Sequence, residues 1–193
     1  MTQQRRSFTA AELQSYRGKT LPDLIGKHTR LLFVGINPGL MTVAVQAHFG
    51  RRGNRFYPAL HAAGIVDHVI DASQGMRPED EQELLDRGIG ITNLVPVATA
   101  RADELSRDEL TSGAARLTRL VGKVQPKVVA MLGVTAYRTA FARPKAIAGR
   151  QSELLGGAEL RVLPNPSGLN AHASLADLGV AYRQAALAAG VIR

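Results

Sequence analysis

The sequence predicts an α/β domain with a mostly parallel sheet of four strands. Short apolar runs alternate along the chain with amphipathic stretches of helical period, the pattern of strands joined by crossover helices. At 193 residues the chain is long enough for one domain with a substantial core. Because 45% of the residues are hydrophobic but only 5% are aromatic, we expect that core to be aliphatic.

The predicted strands are short apolar segments, and the first of them is the clearest. Its sequence, RLLFVG, has no polar residue after the initial arginine, as expected of a strand that is buried on both faces. The four predicted strands are Arg30–Gly35, Gly88–Val95, Lys127–Leu132 and Leu160–Leu163.

Helices are predicted between and around these strands. Ser106 stands three residues before Glu109, which is the spacing of a capping box, and Ser174 and Asp177 repeat this spacing near the end of the chain. The predicted helices are Ala10–Tyr16, Asn54–Ala63, Glu79–Asp86, one that starts at Ser106 and ends before Pro126, Val134–Phe141 and Ser174–Ala189. We expect residues 1–20 to form a basic N-terminal extension and residues 21–193 a single domain.

The composition excludes several classes of chemistry. There is no Cys, so disulfides, thiol nucleophiles and thiolate metal sites are ruled out. The five His residues have no metal-ligand spacing, and we expect neither a metal nor a cofactor. No apolar run has the length of a signal peptide or a membrane span, so we expect an intracellular, cytoplasmic protein.

The net charge favours a polyanionic partner. The formal charge is +8 and the pI is about 10.4, and nucleic acid is the commonest partner of so basic a protein. The alternative is a general solubility charge, because Lys and Arg are scattered along the chain.

The first strand runs into an unusual loop, Ile36–Gly53. Ligands of such sheets bind beyond the carboxyl ends of the strands, where this loop begins with the sequence GINPG. Its glycines and proline turn the chain sharply and permit close approach to a ligand, while Asn37 presents a carboxamide at the strand tip. For Asn37 alone, a turn residue bonded to its own backbone is the alternative. The length of the loop without predicted structure favours function.

The same loop ends in an aromatic residue among glycines and arginines. Phe49 is suited to stack on a base, and Arg51, Arg52 and Arg55 are suited to neutralise phosphates. The alternatives are a loop Phe tucked into the core and a solvated basic loop. Phe56 and Tyr57, which follow, are expected in the core.

A second unusual loop follows the fourth strand. Two prolines stiffen the sequence PNPSGLN at 164–170, Ser167 offers a hydroxyl, and Leu169 is an apolar residue on a polar loop. A rigid apolar tip can wedge into a base stack. The alternative is that Leu169 folds back onto the core.

Together these segments resemble the mismatch-specific uracil-DNA glycosylases and their thymine-DNA glycosylase relatives. The similarity spans about residue 30 to the end of the chain. It implies a three-layer α/β/α sandwich and a mechanism on a base that is flipped out of the duplex. The matching segments, in the same order and at matching spacing, are GINPG at 35–39, HFGRRGNRFYPALHAAG at 48–64, GITNLV at 90–95 and PNPSGL at 164–169.

The resemblance also implies roles for individual residues. Asn37 would position the attacking water, and Phe49 would stack on the extruded base. The base pocket would be completed by the backbone around Ile36, by Gly39 at its floor and by Asn93, which touches the base or the water or else only caps the strand. Phosphate contacts would come from Asn165 and Ser167, and the wedge that fills the duplex and faces the orphaned guanine from Gly168, Leu169 and Asn170.

Two departures from the family pattern bear on these roles. Ala171 stands where bacterial relatives carry an Arg in the wedge, so one DNA contact is absent. The segment Met41–Ala47 is bulkier than the small residues of the family, which bears on the range of bases accepted.

The expected function is therefore excision of uracil from double-stranded DNA that holds a U·G or related mispair, by a monomer. No Lys occurs in the matching loops, so no Schiff-base strand cleavage is expected. One rival is a non-catalytic binder of damaged DNA. Another, an enzyme acting on free nucleotides, lacks a G-x-x-x-x-G-K-[ST] loop. A carboxylate-dependent uracil glycosylase would have Asp where Asn37 stands.

Overall fold

A computed structural model describes residues 7–168, 170 and 172–193. Its strands are β1 (Leu31–Gly35), β2 (Ile89–Asn93), β3 (Val128–Leu132), β4 (Gly149–Leu155) and β5 (Ala158–Leu163). They form one sheet in the order β2-β1-β3-β5-β4, in which only β4 runs antiparallel to its neighbour. The mostly parallel α/β fold is confirmed, but the prediction of four strands is wrong because the sheet has five.

The fifth strand, β4, escaped prediction because it lies at the edge of the sheet. Its sequence, GRQSELL, is polar and only its last residue is buried, so it lacks the apolar signal of a central strand. A hairpin joins β4 to β5 through Gly156 and Gly157, both with positive φ. Such a Gly-Gly pair is the local signal of a two-residue hairpin turn, and it marks the strand that the apolar pattern misses.

The predicted helices are confirmed with small shifts at their ends. Both predicted capping boxes form: Ser106 caps α5 and pairs with Glu109 in its first turn, and Ser174 caps α7 and pairs with Asp177. The helices are α1 (Ala10–Gln14), α2 (Leu40–Ala44), α3 (Phe56–Ala62), α4 (Pro78–Asp86), α5 (Arg107–Val124), α6 (Val134–Ala140) and α7 (Leu175–Ala189), with a 3-10 turn at Ala102–Glu104.

Helices cover both faces of the sheet, which makes the three-layer sandwich. On β1, Leu31 and Phe33 pack into one apolar cluster with α3 and α7, whereas Leu32 and Val34 pack into another with α5 and α6. Successive strand residues thus bury themselves on opposite faces, as a period of two requires. Among the described residues, no helix is long and apolar enough to cross a membrane.

The loop after β1 contains α2, a short helix that was not predicted. It carries the bulky segment Met41–Ala47 inward: Val43 packs in a small cluster with Leu21, and Val45 and Ala47 join the main core. Of the residues in this segment, only Thr42 lines the pocket at the carboxyl edge of the sheet. The large side chains of this segment therefore pack beneath the loop and occupy little of the pocket volume.

Candidate active site

A pocket of about 340 Å³ lies at the carboxyl edge of the sheet. Gly35 at the end of β1 pairs with Asn93 at the end of β2, so the loops that follow these two strands start side by side. The loop after β5 closes the pocket from a third side. Its lining includes Ile36, Asn37, Gly39, Phe49, Arg51, Asn93, Thr99, Asn165 and Ser167.

The carboxamide of Asn37 is held in one orientation. Its Nδ2 group donates to the carbonyl of Val97 at 3.1 Å, to Thr99 Oγ1 at 2.7 Å and to the carbonyl of Pro38 at 3.3 Å. Since carbonyl oxygens only accept hydrogen bonds, the nitrogen of the amide has to face them. No residue in the described part of the chain donates to Asn37 Oδ1, so this oxygen is available as an acceptor.

Thr99 is a site residue that sequence reasoning missed. Its hydroxyl accepts from Asn37 and donates to the carbonyl of Arg101 at 2.7 Å, so both of its hydrogen-bonding functions are assigned. Its backbone pairs with Gly39 in an isolated bridge. The only sequence signal was that Thr99 lies in the loop after the second predicted strand, where nothing distinguishes it from its neighbours.

Asn93 is buried and faces the pocket. It is only 5% exposed, yet its side chain makes no hydrogen bond with any described residue. Its backbone carbonyl accepts from Arg116, which holds the end of β2. A methyl group on Gly35 would lie 2.5 Å from Asn93 Oδ1, so Gly35 is what makes room for this amide.

Phe49 lines the pocket with one face backed by the core. Its ring stacks on that of Phe56, with centroids 4.0 Å apart and an angle of 21° between the planes. Phe56 and Tyr57 are buried, which confirms their predicted place in the core. Phe49 itself is half-buried with a φ of 55°, and its backbone N–H donates to no residue in the described ranges.

Two buried polar contacts hold the segment before Phe49. Tyr57 donates its hydroxyl hydrogen to the carbonyl of His48 at 2.8 Å, and His48 Nε2 bonds the carbonyl of Pro22 at 2.9 Å. Burial lowers the pKa of His48, which favours its neutral form, and the carbonyl partner then requires the hydrogen to be on Nε2. His48, which directly precedes Phe49, is thus held through both its backbone and its side chain.

The loop after β5 builds its shape from its own side chains. Asn165 Oδ1 accepts from the backbone N–H of Ser167 at 2.9 Å, and Asn170 donates to the carbonyl of Asn165 at 2.9 Å. Asn170 Oδ1 accepts from the backbone of His172 at 3.1 Å. Several hydrogen-bonding groups of Asn165 and Asn170 therefore have their partners inside the loop. The predicted wedge residue Leu169, and Ala171, lie outside the described residues.

The three predicted phosphate contacts differ in their surroundings. Arg51 and Arg52 are exposed, and neither forms an ion pair with any residue that the structure describes. Both line a small cleft together with Ser167 and Gly168. Arg55 is half-buried, and its guanidinium donates to three backbone carbonyls of the loop after β5. This geometry argues against the phosphate contact predicted for Arg55.

Comparison with known proteins identifies the family. The family model of the Uracil DNA glycosylase superfamily matches residues 22–189, which is most of the chain. The chain belongs to the uracil DNA glycosylase superfamily. A solution NMR structure from Methanosarcina acetivorans, described as a candidate uracil DNA glycosylase, is similar in fold with a TM-score of 0.56. It is 19% identical, and the match covers 88% of this chain and 98% of the other.

Within this member of the uracil DNA glycosylase superfamily, the residues predicted for base and water lie around one pocket. Ile36, Asn37, Gly39, Phe49 and Asn93 all line it. A methyl group on Gly39 would meet only Thr42 Oγ1, at 3.9 Å, so the glycine leaves open space. The catalytic and binding roles of these residues stay predictions.

The carboxylate at the pocket is engaged by an arginine of the same protein. Asp103 is the one carboxylate among the described lining residues, and both of its oxygens bind the guanidinium of Arg101. Elsewhere His68, Asp80 and Glu83 cluster. Arg77 already binds both oxygens of Asp80 and lowers the pKa of its carboxyl. The cation beside this carboxylate is therefore an arginine side chain of the protein itself.

Proposed function

We propose that the chain is a monofunctional DNA glycosylase that removes uracil, and related pyrimidines mispaired with guanine, from double-stranded DNA. The observation that carries the proposal is the orientation of Asn37. Val97 and Thr99 hold its amide nitrogen, so its oxygen is left as an acceptor for a water molecule in the pocket. A water held there is aligned for attack on the sugar carbon of a nucleotide whose base lies against Phe49.

The chemistry suits a site without a carboxylate base. Breaking the N-glycosidic bond leaves positive charge on the sugar and negative charge on the pyrimidine, and fixed donors such as the backbone N–H of Phe49 stabilise that anion. An amide cannot remove a proton, so Asn37 contributes by positioning. Without a general base the rate should be roughly 10²–10⁴-fold lower than in a carboxylate enzyme. No Lys is among the described lining residues, which supports hydrolysis without strand cleavage.

Base flipping explains a preference for mispairs. Extruding a nucleotide costs a few kcal/mol, and less when its pair is weak, so uracil opposite guanine is favoured over uracil opposite adenine. Phe49 offers its pocket face to the extruded base, and stacking on an aromatic ring contributes about 1–3 kcal/mol per base. Leu169 is proposed to fill the vacated space, with Gly168 and Asn170 beside it.

The DNA-binding surface is proposed to lie around the mouth of the pocket. Arg51 and Arg52 are exposed cations there, and Ser167 lines both the pocket and the cleft beside them. The charge of +8 adds sequence-independent attraction to the phosphate backbone. The side-chain oxygen of Asn165 is used inside the loop. Its Nδ2 group is proposed to donate a hydrogen bond to a phosphate.

One assay tests the proposal directly. Purified protein is incubated with matched duplexes that carry U·G, U·A or T·G, and free base and abasic sites are both measured. We expect uracil release from U·G to be fastest and the DNA strand to remain uncut until alkali is added. Tight binding to U·G with no free uracil would instead identify a non-catalytic binder of damaged DNA.

The role proposed for Asn93 is to donate to an oxygen of the departing base. Asn93→Asp removes the donor and sets a negative charge against a leaving group that also becomes negative, so we expect uracil release to slow by roughly 10²–10³-fold, as when an oxyanion-hole donor is lost. Asn93→Ala, which removes only the donor, should slow it less. Single-turnover rates on the U·G duplex decide the point, and acceleration by Asn93→Asp would place the residue beside the water.

A further inference from the structure

Arg55 joins the two loops that flank the pocket. Its two terminal nitrogens donate to the carbonyls of Ser167 at 2.9 Å, Asn170 at 2.8 Å and Ala173. Its backbone N–H donates to the carbonyl of Pro166 at 3.0 Å. One residue at the start of α3 therefore binds four positions of the segment 166–173, which includes the predicted wedge.

The surroundings of Arg55 differ from those of a phosphate ligand. It forms no ion pair with any carboxylate in the described ranges, and its Nε atom is buried without a partner there. The donors that bind loop carbonyls cannot bind a phosphate in the same geometry, because each N–H points at one acceptor. Arg51 and Arg52, by contrast, are exposed.

The two loops also touch through their backbones. A methyl group on Gly168 would lie only 2.7 Å from the carbonyl oxygen of Gly53. Gly168, the first residue of the predicted wedge, thus packs directly against the backbone of the arginine-rich loop. Because close packing and the bonds of Arg55 act on the same pair of loops, the loops have little freedom to move apart.

We infer that Arg55 is a positioning residue that sets the shape of the loop 164–173 for entry into the duplex, and that it does not contact DNA phosphate. The inference rests on the proposed function, since it assigns that loop to the opened base pair. Arg55 holds the loop by its backbone carbonyls, so these hydrogen bonds use none of the side chains of the loop. Loss of Arg55 should therefore slow base extrusion and leave unchanged the bond-breaking step, in which Asn37 positions the water.

The test compares two substrates that differ in the cost of extrusion. Single-turnover rates are measured for Arg55→Gln on a duplex with U·G and on one with uracil opposite an abasic site, where the base is already weakly held. We expect the U·G rate to fall roughly 10- to 100-fold, the cost of a misplaced group, and the other rate to fall less than about threefold. Equal losses on both substrates would overturn the inference.

Salt dependence separates positioning from phosphate contact. We expect Arg55→Gln to leave the slope of log K against log[salt] unchanged, whereas Arg52→Ala should reduce it by about one. Arg55→Lys retains the charge but cannot reach all the carbonyls, so it should keep most of the U·G defect. Restoration of both rate and slope by Lys would overturn the inference, because charge alone would then suffice.

Two controls keep the result interpretable. Arg183→Gln removes an arginine that, among the described residues, donates to one backbone carbonyl, that of Ala63 at 3.2 Å, and the variant should match the parent on both substrates. If the parent protein itself releases no uracil, the proposed function fails. In that case hydrogen exchange of residues 164–173 tests Arg55 separately: faster exchange in Arg55→Gln but not in Arg183→Gln supports the positioning role, and no change rejects it.

Discussion

Asn37→Ala is expected to lower uracil release by roughly 10²-fold or more, because a water that is no longer positioned loses the advantage of alignment. Three donated hydrogen bonds disappear with the side chain. At a net contribution of about 1 kcal/mol per bond, their loss should cost about 3 kcal/mol of unfolding free energy. The variant should therefore fold and bind U·G duplex while its single-turnover rate falls.

Variants of Thr99 provide the matched control for this prediction. Thr99→Val removes the hydroxyl that fixes the Asn37 amide at 2.7 Å, whereas Thr99→Ser retains it. We expect Thr99→Val to lose part of the rate that Asn37→Ala loses and Thr99→Ser to stay near the parent. An Asn37→Ala protein that releases uracil at the parental rate would remove Asn37 from the active centre.

Phe56→Ala is expected to have the largest effect on stability, with a loss of about 3–5 kcal/mol in the free energy of unfolding. Phe56 is fully buried. Its ring packs edge-on against that of Phe33, with the ring centroids 5.2 Å apart, and stacks on that of Phe49, with the centroids 4.0 Å apart. In a domain of this size such a loss lowers the melting temperature by about 6–20 °C, and it also removes the support beneath the stacking residue of the pocket.

Phe49→Ala is the companion variant, since Phe49 shares the stack but is half-buried. Thermal melts should show a smaller loss of stability for Phe49→Ala than for Phe56→Ala. Activity assayed well below both melting temperatures should fall in each, since either change disturbs the surface that receives the base. A Phe56→Ala protein that melts within about 2 °C of the parent would show that the stack carries little packing energy.

The sequence and the structure agree best where the signal is local. The boxes of Ser106 with Glu109 and of Ser174 with Asp177 involve residues three apart, so the sequence displays the whole interaction. The strand β1 was equally clear, because it is buried on both faces and its residues are all apolar. The edge strand β4 was missed since its stability comes from pairing with β5, which its polar side chains do not reveal.

The same distinction applies to α2 in the first loop. Its five residues are too few for a helical pattern to be recognised, and its side chains find their partners in distant segments. The loop therefore looked unstructured and unusually long. Burial of Val43 against Leu21 is a tertiary contact, and only the folded chain brings these residues together.

By itself, then, the sequence determined the fold class and placed Asn37 and Phe49 in the loop that follows the first strand, because periodicity and turn chemistry are properties of neighbouring residues. Only the tertiary structure decided what those residues face. Asn37 takes its orientation from Thr99, 62 positions away, and Arg55 turns to Ser167, 112 positions away. Hydrogen bonds depend on distances of about 3 Å and on angle, and no pattern along the chain encodes a geometry that is set by the packing of separate loops.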